Sequence, residues 1–205
     1  MHGMAGVIPT NYEIVFEPLF HNFKFNGEEI ITLNLSKPTN SIILDAAELS
    51  IKESHITQGR KIIPAKSSLN EKNEKLTIKL AKKIKGKAKL SIKFTGTLND
   101  RLLGFYKSQY KDRKGKTKYL ATTQFEAADA RRAFPCWDEP AVKATFDVSL
   151  LVDKHLDAIS NMPVISKKKT GTKILHKFGR TPIMSTYLLY LGVGEFEYLH
   201  GKLRN

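Results

Sequence analysis

Cysteine is nearly absent from this sequence, and that limits both the fold and the available chemistry. Cys136 is the only cysteine, so no intrachain disulfide can form. Zinc ribbons and zinc fingers, which need several cysteines, are excluded for the same reason. A single free thiol is typical of a reducing compartment, which favours a cytoplasmic location.

Long apolar runs are missing as well. The longest, Ile183 to Gly194, is interrupted by Ser185, Thr186 and Gly192 and is too short to cross a bilayer. Residues 1–9 contain no basic segment followed by an apolar one, so they do not form a secretory signal. We therefore predict no association with a membrane.

The common catalytic motifs are also lacking. There is no HExxH, GxSxG or GxGxxG motif and no glycine-rich phosphate loop. No histidine precedes a glutamate, and no two histidines have the spacing that would place both imidazoles on one helical face. We predict no catalytic residue and no metal ligand in this chain. The histidines are His2, His21, His55, His155, His176 and His200.

Positive charge is abundant, with a formal net charge of +14, but arginine contributes little of it. Lysine lacks the bidentate fork with which arginine recognises phosphates and base edges. Many lysines alternate with apolar residues, as in Lys89 to Phe94, which is typical of the solvated face of a strand. We predict no nucleic-acid binding. A contiguous basic face with exposed aromatic residues would favour it.

Apolar and polar residues alternate with period two along most of the sequence, as in Tyr12, Ile14 and Phe16. This pattern predicts an all-β, saddle-like antiparallel domain of several sheets, of the β-sandwich type, with a dozen or so strands. No long stretch has helical periodicity, and residues 1–205 are expected to form one domain. The predicted turns and tip are Phe25–Gly27, Leu69–Glu74, Lys85–Lys87, Arg113–Lys116 and the hairpin tip Lys167–Gly171.

One segment, Gln124–Ala141, breaks the alternation with dense charge and no strand pattern. Asp129–Phe134 can form a short helical turn, which Pro135 and Pro140 keep from extending. A long irregular insert in a regular β domain is usually either functional or a packed structural loop. On composition alone, its four acids and two arginines favour a structural, self-neutralising loop.

The run Thr122–Phe146, TTQFEAADARRAFPCWDEPAVKATF, closely resembles a signature of the aminopeptidase N-like zinc metallopeptidases. This family includes tricorn-interacting aminopeptidase, puromycin-sensitive aminopeptidase and leukotriene A4 hydrolase. The flanking sequence agrees with the N-terminal β domain of the family along essentially the whole chain. The matching segments are Pro9–Tyr12, Leu103–Tyr106, Ser160–Pro163, Met184–Leu189 and Val193–Phe196.

The resemblance implies the N-terminal domain of a zinc-dependent aminopeptidase that removes N-terminal residues from peptides. In this family the GAMEN motif and the zinc-binding HExxH motif belong to the following domain, which this chain lacks. It implies zinc in the complete enzyme, peptide substrates, a catalytic partner domain or subunit, and a chain that is inactive alone, either truncated or part of a split enzyme. A stand-alone β-sandwich module that binds peptides or glycans remains the alternative.

The resemblance also assigns roles within the loop. Glu126, with Gln124, would anchor the free α-amine of the substrate, and Phe125 would line the wall around the first substrate side chain. The Glu126–Ala127 peptide bond is expected to be cis, and Glu126 is expected to face solvent.

The remaining loop residues are expected to be scaffold. Ion pairs would pin the loop, and the apolar residues would pack beneath it, with Cys136 inert. The residues predicted to form ion pairs are Arg131, Arg132, Asp138 and Glu139, and those predicted to pack are Phe134, Cys136 and Trp137.

The resemblance further predicts a strand pair around Glu195–Leu199, followed in relatives by one more strand. Because the sequence ends at Asn205, we expect this edge to lack a ladder partner. An open edge invites pairing with another chain.

Overall fold

The computed structural model describes residues 6–199 and 201, and this part of the chain is almost entirely β-strand. It contains thirteen strands and two short 3-10 helices, which confirms the predicted all-β class. The elements are β1 (Val7–Leu19), β2 (Lys24–Asp45), β3 (Ser50–Gln58), β4 (Lys61–Asn70), β5 (Lys75–Thr97), β6 (Gly104–Lys111), β7 (Thr117–Gln124), η1 (Ala130–Arg132), β8 (Lys143–Asp153), β9 (Asp157–Ser160), β10 (Val164–Thr170), β11 (Lys173–Phe178), β12 (Met184–Ser185), η2 (Thr186–Leu188) and β13 (Leu191–Gly194).

The described strands form two sheets. The large sheet has nine strands in the order β10-β11-β8-β1-β2-β5-β3-β4, with β12 paired to β8. The small sheet has the order β6-β7-β13-β9. Aromatic side chains join the two sheets. The ring of Phe105 in β6 lies 5.8 Å from that of Phe16 in β1 and 5.2 Å from that of Phe25 in β2.

One strand pair departs from the predicted antiparallel arrangement. β1 and β8 run parallel, with Asn11 opposite Thr145 and Phe16 opposite Leu150. Parallel neighbours need a long crossover connection, which the chain between these two strands provides by building β2 to β7 and the irregular loop. Sequence alternation reports which face of a strand is buried but not the direction of its neighbour.

Two of the predicted turns are wrong, because Phe25–Gly27 lies inside β2 and Lys85–Lys87 lies inside β5. A Cβ atom on Gly27 would lie 2.2 Å from the ring of Phe94, its partner on β5. This glycine is therefore needed to accommodate the aromatic ring and does not mark a turn. Gly86 has φ of +89° where the β2–β5 register shifts, which is a bulge. The predicted turns at 69–74 and 113–116 are confirmed. The predicted tip at 167–171 is correct only at its end, because 167–170 lie in β10 and the turn is formed by 171–172.

Replacing Gly27 by alanine is expected to destabilise the chain by about 1–3 kcal/mol, because the ring of Phe94 must leave its position. Urea denaturation followed by tryptophan fluorescence measures the change. The matched control is Gly201→Ala, at an exposed position outside the left-handed region where a new Cβ meets no atom within 4 Å. Equal losses in Gly27→Ala and Gly201→Ala would show that Gly27 has no special packing role.

Candidate functional site

The irregular loop between β7 and β8, residues 125–142, is anchored to the large sheet through the end of β2. The backbone of Cys136 exchanges two hydrogen bonds with that of Asp45, with N···O distances of 2.7 and 3.0 Å. The amide of Asp138 donates to the Asp45 carboxylate over 3.0 Å. The predicted helical turn is confirmed as η1, so the loop has a defined conformation although it carries no strand.

Arg131 lies at the centre of the ion pairs that pin the loop. Its guanidinium lies 3.1 Å from Asp138, 3.1 Å from Glu74 and 3.7 Å from Asp45. The Asp138 and Asp45 side chains are only 1% and 4% exposed, so these are desolvated carboxylates that need a cation. Thr186 in η2 also donates to Asp138, over 3.1 Å. The predicted roles of Arg131 and Asp138 are confirmed.

Arg132 makes a second, more exposed set of ion pairs. It contacts Asp129 at 2.9 Å, Glu48 at 2.6 Å and Glu74 at 2.9 Å. Its predicted role is therefore confirmed. Glu139 has no ion-pair partner in residues 6–199 and 201, so the prediction for that residue is wrong.

The apolar residues of the loop lie in the core, as predicted. Phe134 and Cys136 are fully buried and Trp137 is 2% exposed. The ring of Phe134 packs at 5.9 Å from Tyr12 and 6.2 Å from Phe16. Burial raises the pKa of the Cys136 thiol well above its usual value, and the carboxylate of Asp138 acts in the same direction. A thiol in this environment is a poor nucleophile.

Gln124 and Glu126 lie at the surface at the start of the loop, and Glu126 faces solvent as expected. The Glu126–Ala127 peptide bond is cis, which confirms that expectation. Among the described residues Glu126 takes part in none of the ion pairs that occupy Asp129 and Asp138. The Glu126 carboxylate is therefore not neutralised by the ion pairs of the loop and can contact a ligand.

Phe125 lies elsewhere. Its side chain is 2% exposed, and its ring packs 6.2 Å from that of Phe134. Because successive residues of an extended chain point to opposite faces, Phe125 is directed into the core while its two neighbours are directed outward. The ring of Phe125 thus supports the loop from beneath. Its place on a wall around the substrate side chain stays a prediction.

The outer face of the small sheet continues the surface that carries Gln124. Gly104 and Tyr106 of β6 lie opposite Gln124 and Thr122 of β7. On the other side, Thr122 Oγ1 donates to the hydroxyl of Tyr190 over 3.2 Å. Sequence reasoning missed Tyr190, because only strand pairing brings residues so distant in sequence together. The feature of the sequence that could have pointed to Tyr190 is the short, glycine-rich segment directly after it, which forms a strand.

The predicted strand pair around Glu195–Leu199 is wrong, since β13 ends at Gly194 and residues 195–199 form no strand. Both sides of β13 are already occupied, by β7 and β9. Side-chain ion pairs hold the segment instead, with Glu195 at 2.6 Å from Lys118 and Glu197 at 3.1 Å from Arg113. The open edge predicted at 196–199 is therefore wrong as well, because these residues form no strand that could lack a ladder partner.

Zinc, which the family resemblance implies, does not fit the side chains of this chain that the structure describes. Within residues 6–199 and 201, no three His, Cys, Asp or Glu side chains are grouped so that they could hold a metal ion. His2 and His200 lie outside the described residues. None of the helical turns in the described part of the chain has the length and apolar character of a membrane span.

Comparison with known proteins defines the class to which this β domain belongs. A model of the peptidase M1 N-terminal domain matches residues 8–188, and the chain therefore belongs to this family.

Individual relatives agree with this assignment. The chain is 43% identical over 202 residues to puromycin-sensitive aminopeptidase of Caenorhabditis elegans, covering 96% of this chain and 21% of that protein. It is 42% identical over 195 residues to aminopeptidase M1-D of Oryza sativa subsp. japonica, covering 94% and 22%. It is 42% identical over 201 residues to aminopeptidase 2 of Candida albicans, covering 95% and 21%. The chain thus spans about a fifth of the length of these relatives.

Proposed function

We propose that this chain is the N-terminal, substrate-amine-anchoring domain of a zinc-dependent aminopeptidase that removes N-terminal residues from peptides. The observation that carries the proposal is the position of Glu126. It is exposed beside Gln124, at the end of a buried scaffold, and it lies outside the ion pairs that neutralise its neighbours. The relatives named above are aminopeptidases, which supports the same activity for the complete protein.

The proposed chemistry is recognition of a free peptide N-terminus. A peptide α-ammonium loses its hydration when it enters a closed site, and an anionic partner must compensate for that loss. The Glu126 carboxylate would accept hydrogen bonds from the ammonium, and the Gln124 side-chain oxygen would accept another. A peptide with a blocked N-terminus carries no such charge, so the pair selects free termini and thereby the first peptide bond.

The zinc ligands and the residues that act on the scissile bond would come from a catalytic domain or subunit, because the described residues of this chain cannot hold the metal. Zinc would supply an activated water and polarise the scissile carbonyl. This chain would contribute the amine anchor and the surface around it. We propose a cytoplasmic location, on the basis of the single buried thiol.

A chimera tests the proposed function. Residues 1–205 replace the corresponding segment of the Caenorhabditis elegans relative, and hydrolysis of aminoacyl reporters is measured. Changing Glu126→Gln in the chimera is expected to lower kcat/KM about 100-fold, mostly through KM, because a charge-assisted contact to a desolvated ammonium is lost. The chain of 205 residues alone is expected to cleave no reporter.

The matched control is Glu139→Gln, which changes another acid of the same loop that has no ion-pair partner in the described structure. It is expected to leave kcat/KM unchanged. If both variants lose activity equally, the effect of Glu126 reflects general charge rather than anchoring of the amine. If Glu126→Gln leaves the kcat/KM of an active chimera unchanged, the proposed role of Glu126 is refuted.

A further inference from the structure

Tyr190 lies beside Gln124 at the end of the small sheet. Gly192 pairs with Thr122 in the antiparallel ladder of β13 and β7. The amide of Leu191 then donates to the side-chain hydroxyl of the residue that precedes Gln124, over 3.0 Å, so the two chains stay side by side beyond the ladder. One further step of the same register places the backbone of Tyr190 opposite that of Gln124, with about 5 Å between the Cα atoms.

Both the backbone and the side chain of Tyr190 are held in place. Its amide donates to the side-chain oxygen of Asn161, and its carbonyl accepts from the hydroxyl of Ser160, over 2.8 Å each. Its own hydroxyl accepts from Thr122 over 3.2 Å. The ring crosses Gly192, where a Cβ atom would lie 2.9 Å from the Tyr190 hydroxyl. The ring is therefore fixed before any ligand arrives, which lowers the entropy cost of a contact with it.

The ring lies on the same face of the sheet as the Gln124 side chain. Alternate residues of a strand share a face, so Thr122 and Gln124 point the same way, and the Tyr190 hydroxyl reaches Thr122 on that face. Tyr190 is 40% exposed, against 2% for Phe125. Its ring therefore offers uncharged aromatic surface to a ligand next to Gln124.

The two strands that flank Gln124 present different surfaces to a ligand. On the β6 side Gln124 lies opposite Gly104, which has no side chain. On the other side it lies beside the ring of Tyr190. In an amino acid the side chain begins at the carbon that carries the amine, about 2.5 Å from the nitrogen. An amine bound at Gln124 and Glu126 therefore places its own side chain next to this surface.

We propose that Tyr190 is a specificity-determining residue, whose ring packs against the first side chain of the substrate and favours large apolar residues such as leucine and phenylalanine. The proposal rests on the proposed function, because it takes the amine to be bound at Gln124 and Glu126. An alanine methyl group is too short to cover the ring and gains little from it. Charged first residues gain nothing either, since a charged group loses hydration against an uncharged ring.

The test uses the chimera described above and compares leucyl, phenylalanyl and alanyl reporters. Tyr190→Ala is expected to lower kcat/KM about tenfold for the leucyl and phenylalanyl reporters and less than about twofold for the alanyl reporter. Tyr190→Phe keeps the ring and is expected to keep the leucyl-to-alanyl ratio of kcat/KM. Tyr190→Gln fills more of the same space than alanine but lacks the ring, and it is expected to lower the ratio as Tyr190→Ala does.

The matched control is Tyr110→Ala. Tyr110 lies on the same face of the small sheet but opposite Lys118, six residues and about 20 Å along β7 from Gln124. It is expected to leave the leucyl-to-alanyl ratio unchanged. An unchanged ratio in both Tyr190→Ala and Tyr190→Gln would overturn the proposal. Equal losses on all three reporters would also overturn it, since they would indicate that Tyr190 contacts the catalytic domain and not the substrate.

The same measurements separate this proposal from the proposed function. Glu126→Gln is expected to affect the three reporters alike, because each carries the same ammonium. If Glu126→Gln has no effect while Tyr190→Ala lowers the leucyl-to-alanyl ratio, the amine anchor is refuted and the role of Tyr190 is supported. If Glu126→Gln lowers kcat/KM for every reporter while Tyr190→Ala leaves the ratio unchanged, the role of Tyr190 alone is refuted.

Discussion

Replacing Arg131 by methionine is expected to lower the free energy of unfolding by about 3–5 kcal/mol, as measured by urea denaturation. Arg131 is the cation shared by Asp138 and Asp45, whose side chains are 1% and 4% exposed. Methionine fills much of the same space but leaves Asp138 buried without a counter-ion. Lys75 still contacts Asp45, so the larger part of the loss falls on Asp138.

The loss should depend on pH in a defined direction. Burial raises the pKa of Asp138 above its usual value, and Arg131 opposes this rise. Without Arg131 the folded-state pKa rises further above the unfolded value. A group with a raised folded-state pKa makes stability fall as pH rises. The destabilisation by Arg131→Met is therefore expected to be largest at neutral pH and to shrink as pH approaches the ordinary aspartate value of 3.8.

The adjacent Arg132→Met is the matched control, since its partners Glu48, Glu74 and Asp129 are 45%, 33% and 25% exposed. Ion pairs of that exposure contribute about 0–1 kcal/mol each, so the expected loss is about 1 kcal/mol. Similar losses in the two variants would contradict the view that burial of Asp138 makes Arg131 essential.

Replacing Glu29 by leucine is expected to raise the free energy of unfolding at pH 7 by about 3–5 kcal/mol. Glu29 lies in the middle of β2, is 0% exposed, and has no hydrogen-bond partner for either carboxylate oxygen within the described structure. Its strand neighbours, Ile14 of β1 and Ile92 of β5, are apolar. Leucine removes the unpaired polar atoms and adds apolar contact.

Stability should fall with pH in the unaltered chain because of Glu29. Burial raises its pKa well above the usual value of 4.5, so the folded state holds a proton that the unfolded state releases. Above pH 4.5, each pH unit is expected to remove up to about 1.4 kcal/mol until the folded-state pKa is passed. In Glu29→Leu this contribution disappears.

The control for this prediction is Glu28→Gln, at the next residue, which is exposed. It is expected to change stability by less than about 0.5 kcal/mol and to leave the pH dependence intact. If Glu29→Leu shows the same decline with pH as the unaltered chain, Glu29 is not the group responsible. The comparison requires denaturation curves for all three proteins at several pH values.

The sequence was most informative where a pattern reports on burial alone. Tyr12, Ile14 and Phe16 alternate with polar residues, and these three side chains are at most 1% exposed. The same logic failed at Gly27, because a glycine in a turn and a glycine beneath the ring of Phe94 look alike in sequence. The place of Phe125 in a motif likewise did not reveal that its side chain is buried.

The sequence by itself determined the all-β class, the irregular loop between two strands, the presence of Glu126 in a recognisable motif and the family to which the chain belongs. Local composition and residue order are sufficient for these properties. Only the tertiary structure decided that β8 lies parallel to β1, that Arg131 contacts Asp45, and that Glu29 is buried with no hydrogen-bond partner among the described residues. These facts depend on which strands become neighbours, and contacts between residues far apart in the chain determine that order.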